Sequence, residues 1–133
     1  MIIKELTKDD LKEAQKIYCK NFNKEYKKIT IEPPTILLGL FTENTLIGIA
    51  QIDFLNKYFE NQKIAYINGV CIKKEYQGQG YGDKFLKACI KICKENNADL
   101  INLTSNKTRT SAHRLYAKNN FEIVDTILFK KDL

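Results

Sequence analysis

A chain of 133 residues with 44% hydrophobic and 29% charged content can bury about two-thirds of its unfolded surface around one core, and the composition is that of an ordinary globular protein. The formal charge of +6 is almost all lysine, because Arg109 and Arg114 are the only arginines. The lysines are scattered and the base-reading cation is scarce, so a solvated surface attractive to polyanionic small ligands is expected and a nucleic-acid partner is not. No apolar run approaches the ~20 residues needed to span a bilayer, and Met1 to Glu5 lacks the layout of a secretory signal. One cytoplasmic domain over residues 1–133 with no membrane partner is therefore expected.

Met1 to Leu6 reads as a short strand. Thr7 to Asp10 then supplies cap candidates and early acidic charge, and Leu11, Ala14, Ile17, Tyr18 and Phe22 recur at helical spacing up to a frayed end near Asn23. Pro33 and Pro34 exclude a helix through Ile29 to Thr35 and predict a loop or edge segment. Thr35 to Thr42 and Thr45 to Leu55 form a hairpin turning at Glu43 and Asn44. Gln51 and Asp53 share one face of the second strand and Ile52 and Phe54 the other, so the sheet has a polar side.

Asn56 to Gln62 is a polar loop, and Lys63 to Ile72 is the next extended run. Asn68 and Gly69 within it allow two readings, a two-residue hairpin turn or a bulge in one long strand. A hairpin would leave very short arms, which favours the bulge. From Tyr81 to Asn96 the residues Phe85, Leu86, Cys89, Ile90 and Cys93 make one apolar stripe, opposed by Lys84, Lys87, Lys91 and Lys94. Leu100 to Thr104 follows as a short buried strand, giving a parallel crossover. Ser111 to Lys118 is a short helix ended by Asn119 and Asn120, and Phe121 to Lys130 is expected as a final strand.

Between the run ending at Ile72 and the helix starting at Tyr81, Gly78, Gly80 and Gly82 stand at every second position. Strand, glycine loop and helix bring bare N–H groups and the positive end of a helix dipole to one point, which suits a phosphate or pyrophosphate; an ordinary tight connection is the simpler alternative. Cys19, Cys71, Cys89 and Cys93 include no Cys-x-x-Cys pair, and the single His113 completes no ligand set, so no metal is implied. Cys89 and Cys93 read as small buried thiols.

Gln77 to Gly82, after the run ending Val70, Cys71 and Ile72, resembles the Gln/Arg-x-x-Gly-x-Gly/Ala acyl-CoA loop of the GNAT N-acetyltransferase superfamily. Arg109 to Phe121 resembles that family's Ala-x-x-x-Tyr-x-x-x-Gly-Phe segment. The resemblance implies an α/β fold whose mixed sheet has six to seven strands with helices on both faces. It implies acetyl-CoA between two splayed parallel strands, with backbone at Val70, Cys71 and Ile72 holding the pantetheine arm and thioester. The N–H groups of Gln77, Gly78, Gln79, Gly80, Tyr81 and Gly82 would hold the pyrophosphate, and Asn106 would add a further contact.

By the same resemblance Tyr116 is the general acid of direct acetyl transfer from acetyl-CoA to a primary amine of a small molecule, peptide or protein. A phenol is protonated at neutral pH and able to supply a proton to the departing thiolate. Asn68 stands where many members carry a Glu base, which leaves the base open among Glu32, Asp53 and Glu75 and keeps a catalytically silent acyl-CoA sensor or scaffold as the alternative. Asp83, in the first turn of the anion-binding helix, is expected to point away from a pyrophosphate. Its place at the last position of a Gly-x-Gly-x-x-Gly count also argues against a dinucleotide site. Asn120 replaces the family's Gly, and His113 is read as structural. Aromatic residues Tyr18, Phe22, Tyr26, Tyr58 and Phe59 are expected either to line an acceptor pocket or to cover the core. Either a monomer or a homodimer fits the sequence.

Overall fold

Five extended runs lie side by side in chain order. The computed structural model describes residues 1–25 and 35–133 and places β1 (Ile2–Glu5), β2 (Ile36–Thr42), β3 (Thr45–Lys57), β4 (Gln62–Ile72) and β5 (Leu100–Asn102) in one sheet. Neighbours are antiparallel except β4 and β5, which are parallel. Among the described residues three α-helices accompany the sheet: α1 (Leu11–Phe22), α2 (Tyr81–Glu95) and α3 (Thr110–Lys118). The expectations placed on Pro33, Pro34, Glu32 and Tyr26 fall outside the described residues.

Local signals explain most boundaries. The Asp10 carboxylate accepts the Thr7 N–H and hydroxyl at 2.9 and 3.1 Å, closing the turn that leads into α1. Asn23 ends α1 at φ 51°, a conformation that Asn tolerates better than most residues. Glu43 and Asn44 both have positive φ, which matches the twist of the β2–β3 hairpin.

The core has two parts, one on each face of the sheet. On one face α2 contributes Phe85, Leu86, Cys89 and Cys93, all fully buried, against Leu40, Ile52, Ala65 and Ile67. On the other, Ala14 and Ile17 of α1 pack with Leu6, Leu46, Ile49 and Cys71. This division follows the strand alternation: Ile52 is fully buried, while Gln51 and Asp53 lie on the opposite face.

Two strand expectations are corrected. The sheet has five strands among the described residues, and Phe121 to Lys130 forms none of them. Phe121 is the last residue packed on the core, and residues 122–133 are all exposed. β-Branched and aromatic residues show that a segment suits a sheet, but they do not specify which edge receives it. In addition β5 is shorter than expected and only half-buried.

The thiols give a first prediction. Burial pushes Cys71 and Cys89 up to about 12 and Cys93 to about 11, and only Cys19 is partly exposed. Since the thiolate is the reactive species, a colorimetric thiol titration of the native protein is expected to detect one fast thiol, with the other three reacting only after denaturation. Loss of the fast phase in Cys19→Ser identifies it.

Candidate active site

β4 is where the sheet opens. It pairs with β3 along its length, but the register steps between Ile49 and Gln51 so that one extra β4 residue stands opposite Ala50. Gly69 sits in that step at φ 63°, and a Cβ there would lie 3.2 Å from the Tyr18 ring. The Asn68–Gly69 pair is therefore a bulge in one continuous strand rather than a hairpin turn. On its other side β4 pairs with β5 only from Ile64 to Tyr66. Reciprocal bonds between Lys63 and Asp99, at 2.7 and 2.8 Å, pin the paired end. Beyond Tyr66 no strand partner meets this edge of β4 among the described residues, so Ile67 to Ile72 line an open wedge.

The orientation of the end of β4 follows from ladder alternation. Lys73 donates to the Ile47 carbonyl on β3, so the preceding Ile72 carbonyl faces the wedge. There it accepts the Gln77 side-chain amide at 2.8 Å and the Asn21 amide at 3.1 Å. Gln77 thus ties the glycine loop to β4, and Asn21 ties α1 to the same atom. The buried Cys71 side chain points to the α1 face, so toward the wedge this residue offers only backbone.

Gly78 and Gly80 have φ of 76° and 87°, and a Cβ on either would meet nothing within 4 Å. Backbone conformation, not crowding, requires glycine at both, and the space above them is open to a ligand. Gly82 is already helical. Among the described residues the N–H groups of residues 78–83 donate to no protein acceptor, and they gather at the N-terminus of the 15-residue α2. This is a cradle suited to a pyrophosphate. The Gln79 side chain bonds instead to the Glu75 carbonyl at 3.3 Å. Tyr81 packs edge-on to Tyr76 with ring centroids 6.3 Å apart.

Asp83 is turned away from the cradle. Its carboxylate accepts from Lys87, accepts the Asn119 amide at 2.9 Å and lies 3.6 Å from Lys118. Hydrogen bonding to Lys87 and then Asn119 holds it down at about 2. The Asn119 bond latches the end of α3 to the first turn of α2, beside Gly82 and Leu115.

Tyr116 is positioned by the way α3 ends. Phe121 donates its N–H to the Tyr116 carbonyl at 3.0 Å and Asn120 donates to Ala117 at 3.0 Å, with Asn120 at φ 66°. These are the two bonds of a Schellman turn, in which the residue after the left-handed position packs on the one three before the cap. Accordingly the Phe121 and Tyr116 rings meet edge-on, 6.0 Å between centroids. The spacing Tyr-x-x-x-Gly-Phe therefore has a mechanical reading: it fixes the tyrosine ring through the helix end. Asn120→Gly is expected to raise stability by about 1 kcal/mol with turnover unchanged, as read by chemical denaturation.

Burial raises the Tyr116 phenol above its ordinary value near 10, offset in part by the charge and hydrogen bond of Arg109. Arg109 was not singled out by the sequence reading. Its guanidinium lies 5.0 Å from the Phe22 ring centroid, bonds to the phenol and acts electrostatically on Cys71, so it joins α1, β4 and α3. The usable signal was its rarity: it is one of two arginines and stands directly before the motif helix.

Other expected residues fall less centrally. Asn106 is exposed, and its side-chain oxygen accepts from the Thr108 N–H and hydroxyl at 2.9 and 2.8 Å. His113 bonds to the Asn106 carbonyl at 2.9 Å, fastening that loop to α3. Tyr58 and Phe59 are exposed at the β3–β4 turn, roughly 20 Å along β4 from the bulge, so they neither line the wedge nor cover the core. A cleft of about 320 Å³ does open between α1 and the sheet, lined by Tyr18, Cys19, Leu37, Gln51, Asn68 and Gly69, with both Lys24 and Glu25 on its wall. Beside it, Asp53 accepts from Thr35, Gln51 and Asn68 at 2.6, 2.8 and 2.9 Å.

A mixed sheet opened by a bulge, with undonated backbone N–H groups at the mouth of the opening and helices on both faces, defines the class of α/β domain. Residues 3–121 match the family model described as "Acetyltransferase (GNAT) family", and the chain belongs to that family. A curated relative, "Probable spermine N(1)-acetyltransferase" from Bacillus subtilis subsp. natto (strain BEST195), is 33% identical over 88 residues; the match covers 64% of this chain and 58% of the relative. Among solved structures, an aminoglycoside acetyltransferase from an uncultured soil metagenomic sample, in complex with trehalose, superposes with a TM-score of 0.85 at 18% identity. That match covers 99% of this chain and 95% of the other. A predicted acetyltransferase with acetyl-CoA from Clostridium acetobutylicum superposes at 0.78 and 17% identity, covering 98% and 95%.

Proposed function

We propose that this protein transfers the acetyl group of acetyl-CoA to a primary amine of a small, amine-rich molecule. One observation supports the reading: the undonated N–H groups of residues 78–83 are tied to the open β4 edge by the Gln77–Ile72 bond and to α3, the helix that carries Tyr116, by the Asp83–Asn119 bond. The cradle fits the pyrophosphate of acetyl-CoA, and the wedge at Val70 fits its extended arm.

Bound acetyl-CoA supplies a thioester, from which a neutral amine takes the acetyl group as CoA leaves as a thiol. The chain's own part is electrostatic and protonic. A backbone N–H near Val70 faces the carbonyl oxygen on which charge develops. Tyr116 gives a proton to the departing sulfur; with Arg109 donating to its oxygen, the phenolic proton is left free for that transfer.

The amine enters through the cleft between α1 and the sheet. Lys24 and Glu25 at the cleft offset one another, and Asp53 beside it, fixed by three donors, supplies the remaining negative charge, which favours an ammonium before it loses its proton to solvent. The name of the curated relative, which refers to spermine, and that of the aminoglycoside acetyltransferase support this acceptor class. Asn68 favours the second reading, an acyl-CoA sensor without turnover, because its amide donates to Asp53 and no carboxylate stands at that position.

A CoA-release assay with spermine, an aminoglycoside and a lysine peptide tests the two. Acetyl transfer predicts release with spermine or the aminoglycoside and a product heavier by one acetyl group. Retention of acetyl-CoA with no release across the panel would favour the sensor.

A further inference from the structure

The cleft between α1 and the sheet already holds a primary amine of the chain itself. Among the described residues Lys24 is the one basic side chain on its wall, and no ion pair engages it there. Its backbone is fixed where α1 ends. Asn23 turns at φ 51°, and Lys24 donates its N–H to the Cys19 carbonyl at 2.9 Å, the long bond of a Schellman turn. The side chain is exposed, on a flexible four-carbon stem.

The same end of α1 stands over the part of β4 where the thioester lies in the acetyl-transfer reading. Tyr18 faces Gly69 at the bulge, and Asn21 donates to the Ile72 carbonyl at 3.1 Å. These two contacts bracket Val70. Lys24 follows three residues after Asn21, and a lysine stem carries its nitrogen roughly 6 Å from the Cα. Asn68 and Gly69, on the sheet side of the same cleft, lead directly to Val70. Lys24 is thus an amine of the class the site takes, tethered at the entrance, where attachment to the same molecule raises its effective concentration.

We propose that Lys24 is a self-acetylation site: with acetyl-CoA bound and no acceptor in the cleft, the Lys24 amine of the same chain takes the acetyl group. This rests on the acetyl-transfer reading above. The ammonium first loses a proton to solvent. The neutral Nζ then forms the amide bond to the acetyl carbon as the carbon–sulfur bond breaks. CoA leaves as a thiol with the proton from Tyr116, and the second amine proton passes to solvent, from which the phenol is restored. The product is uncharged at Lys24, so Glu25 loses the cation that offsets it and, with Asp53, leaves the cleft negative. The modified protein therefore holds a polycationic acceptor more tightly: the first acetyl group primes the site for later substrates.

Mass spectrometry of the full chain incubated with excess acetyl-CoA and no acceptor tests this, by intact mass and by peptide mapping. One acetyl group is expected, on Lys24, at a rate that does not change with protein concentration and is slowed by whichever amine of the panel above releases CoA. Lys24→Gln, which removes the charge as acetylation does, should show a KM for that amine about two- to fivefold below that of Lys24→Arg. Label scattered over several lysines, labelling that the amine does not slow, a rate that rises with protein concentration, or equal KM in the two variants would overturn the proposal. An unlabelled protein that still releases CoA with an amine overturns it and leaves the acetyl-transfer reading standing; neither label nor release overturns both.

Discussion

Tyr116→Phe is expected to lower kcat about 100-fold or more while leaving fold and acetyl-CoA affinity in place. The ring itself is held by the Phe121 contact and the helix end, neither of which uses the hydroxyl, so phenylalanine keeps the packing and removes the proton donor together with its bond to Arg109. The same assignment fixes the pH dependence. A phenol held above 10 is protonated throughout the neutral range, so the role is lost only as pH rises through that higher value. The alkaline limb of kcat that belongs to this group should therefore lie above pH 10 and be absent in Tyr116→Phe. Unchanged turnover in a folded variant would remove Tyr116 from the reaction.

Gly80→Val should weaken acetyl-CoA binding at least about 100-fold, the loss expected when two charge-assisted hydrogen bonds are given up. A β-branched residue at φ 87° is strained by roughly 1–3 kcal/mol, and its side chain would occupy the open space above the N–H groups. The rest of the core does not touch this position, so circular dichroism should show the fold intact. Gly82→Ala is the control: it sits in helical conformation with an ordinary 3.5 Å contact to Leu115, and binding should persist. Normal affinity in folded Gly80→Val, measured by calorimetry, would contradict the cradle.

The sequence was most informative where local chemistry alone decides structure. Glu43 and Asn44 turn the β2–β3 hairpin, Asn23 and Asn120 end helices in the left-handed conformation, and the Phe85, Leu86, Cys89 and Cys93 stripe is fully buried. Asn68–Gly69 was ambiguous because the same dipeptide suits a turn or a bulge; only the register against β3 distinguishes them. The tail after Phe121 was misread as a strand of its own sheet because alternation does not name a partner. Arg109 was missed because its role depends on Phe22, Cys71 and Tyr116, which are brought together from three separate elements. Tyr58 and Phe59 fit either an acceptor pocket or a cover for the core by sequence, yet strand length carries them to the far end of β4.

The most direct test of the central claim is a crystal structure with acetyl-CoA bound. The account predicts the pyrophosphate against the N–H groups of residues 78–83, the pantetheine arm along β4 at Val70, and the sulfur within hydrogen-bond reach of the Tyr116 hydroxyl. A ligand bound away from the glycine loop, or a thioester facing some other group, would contradict it.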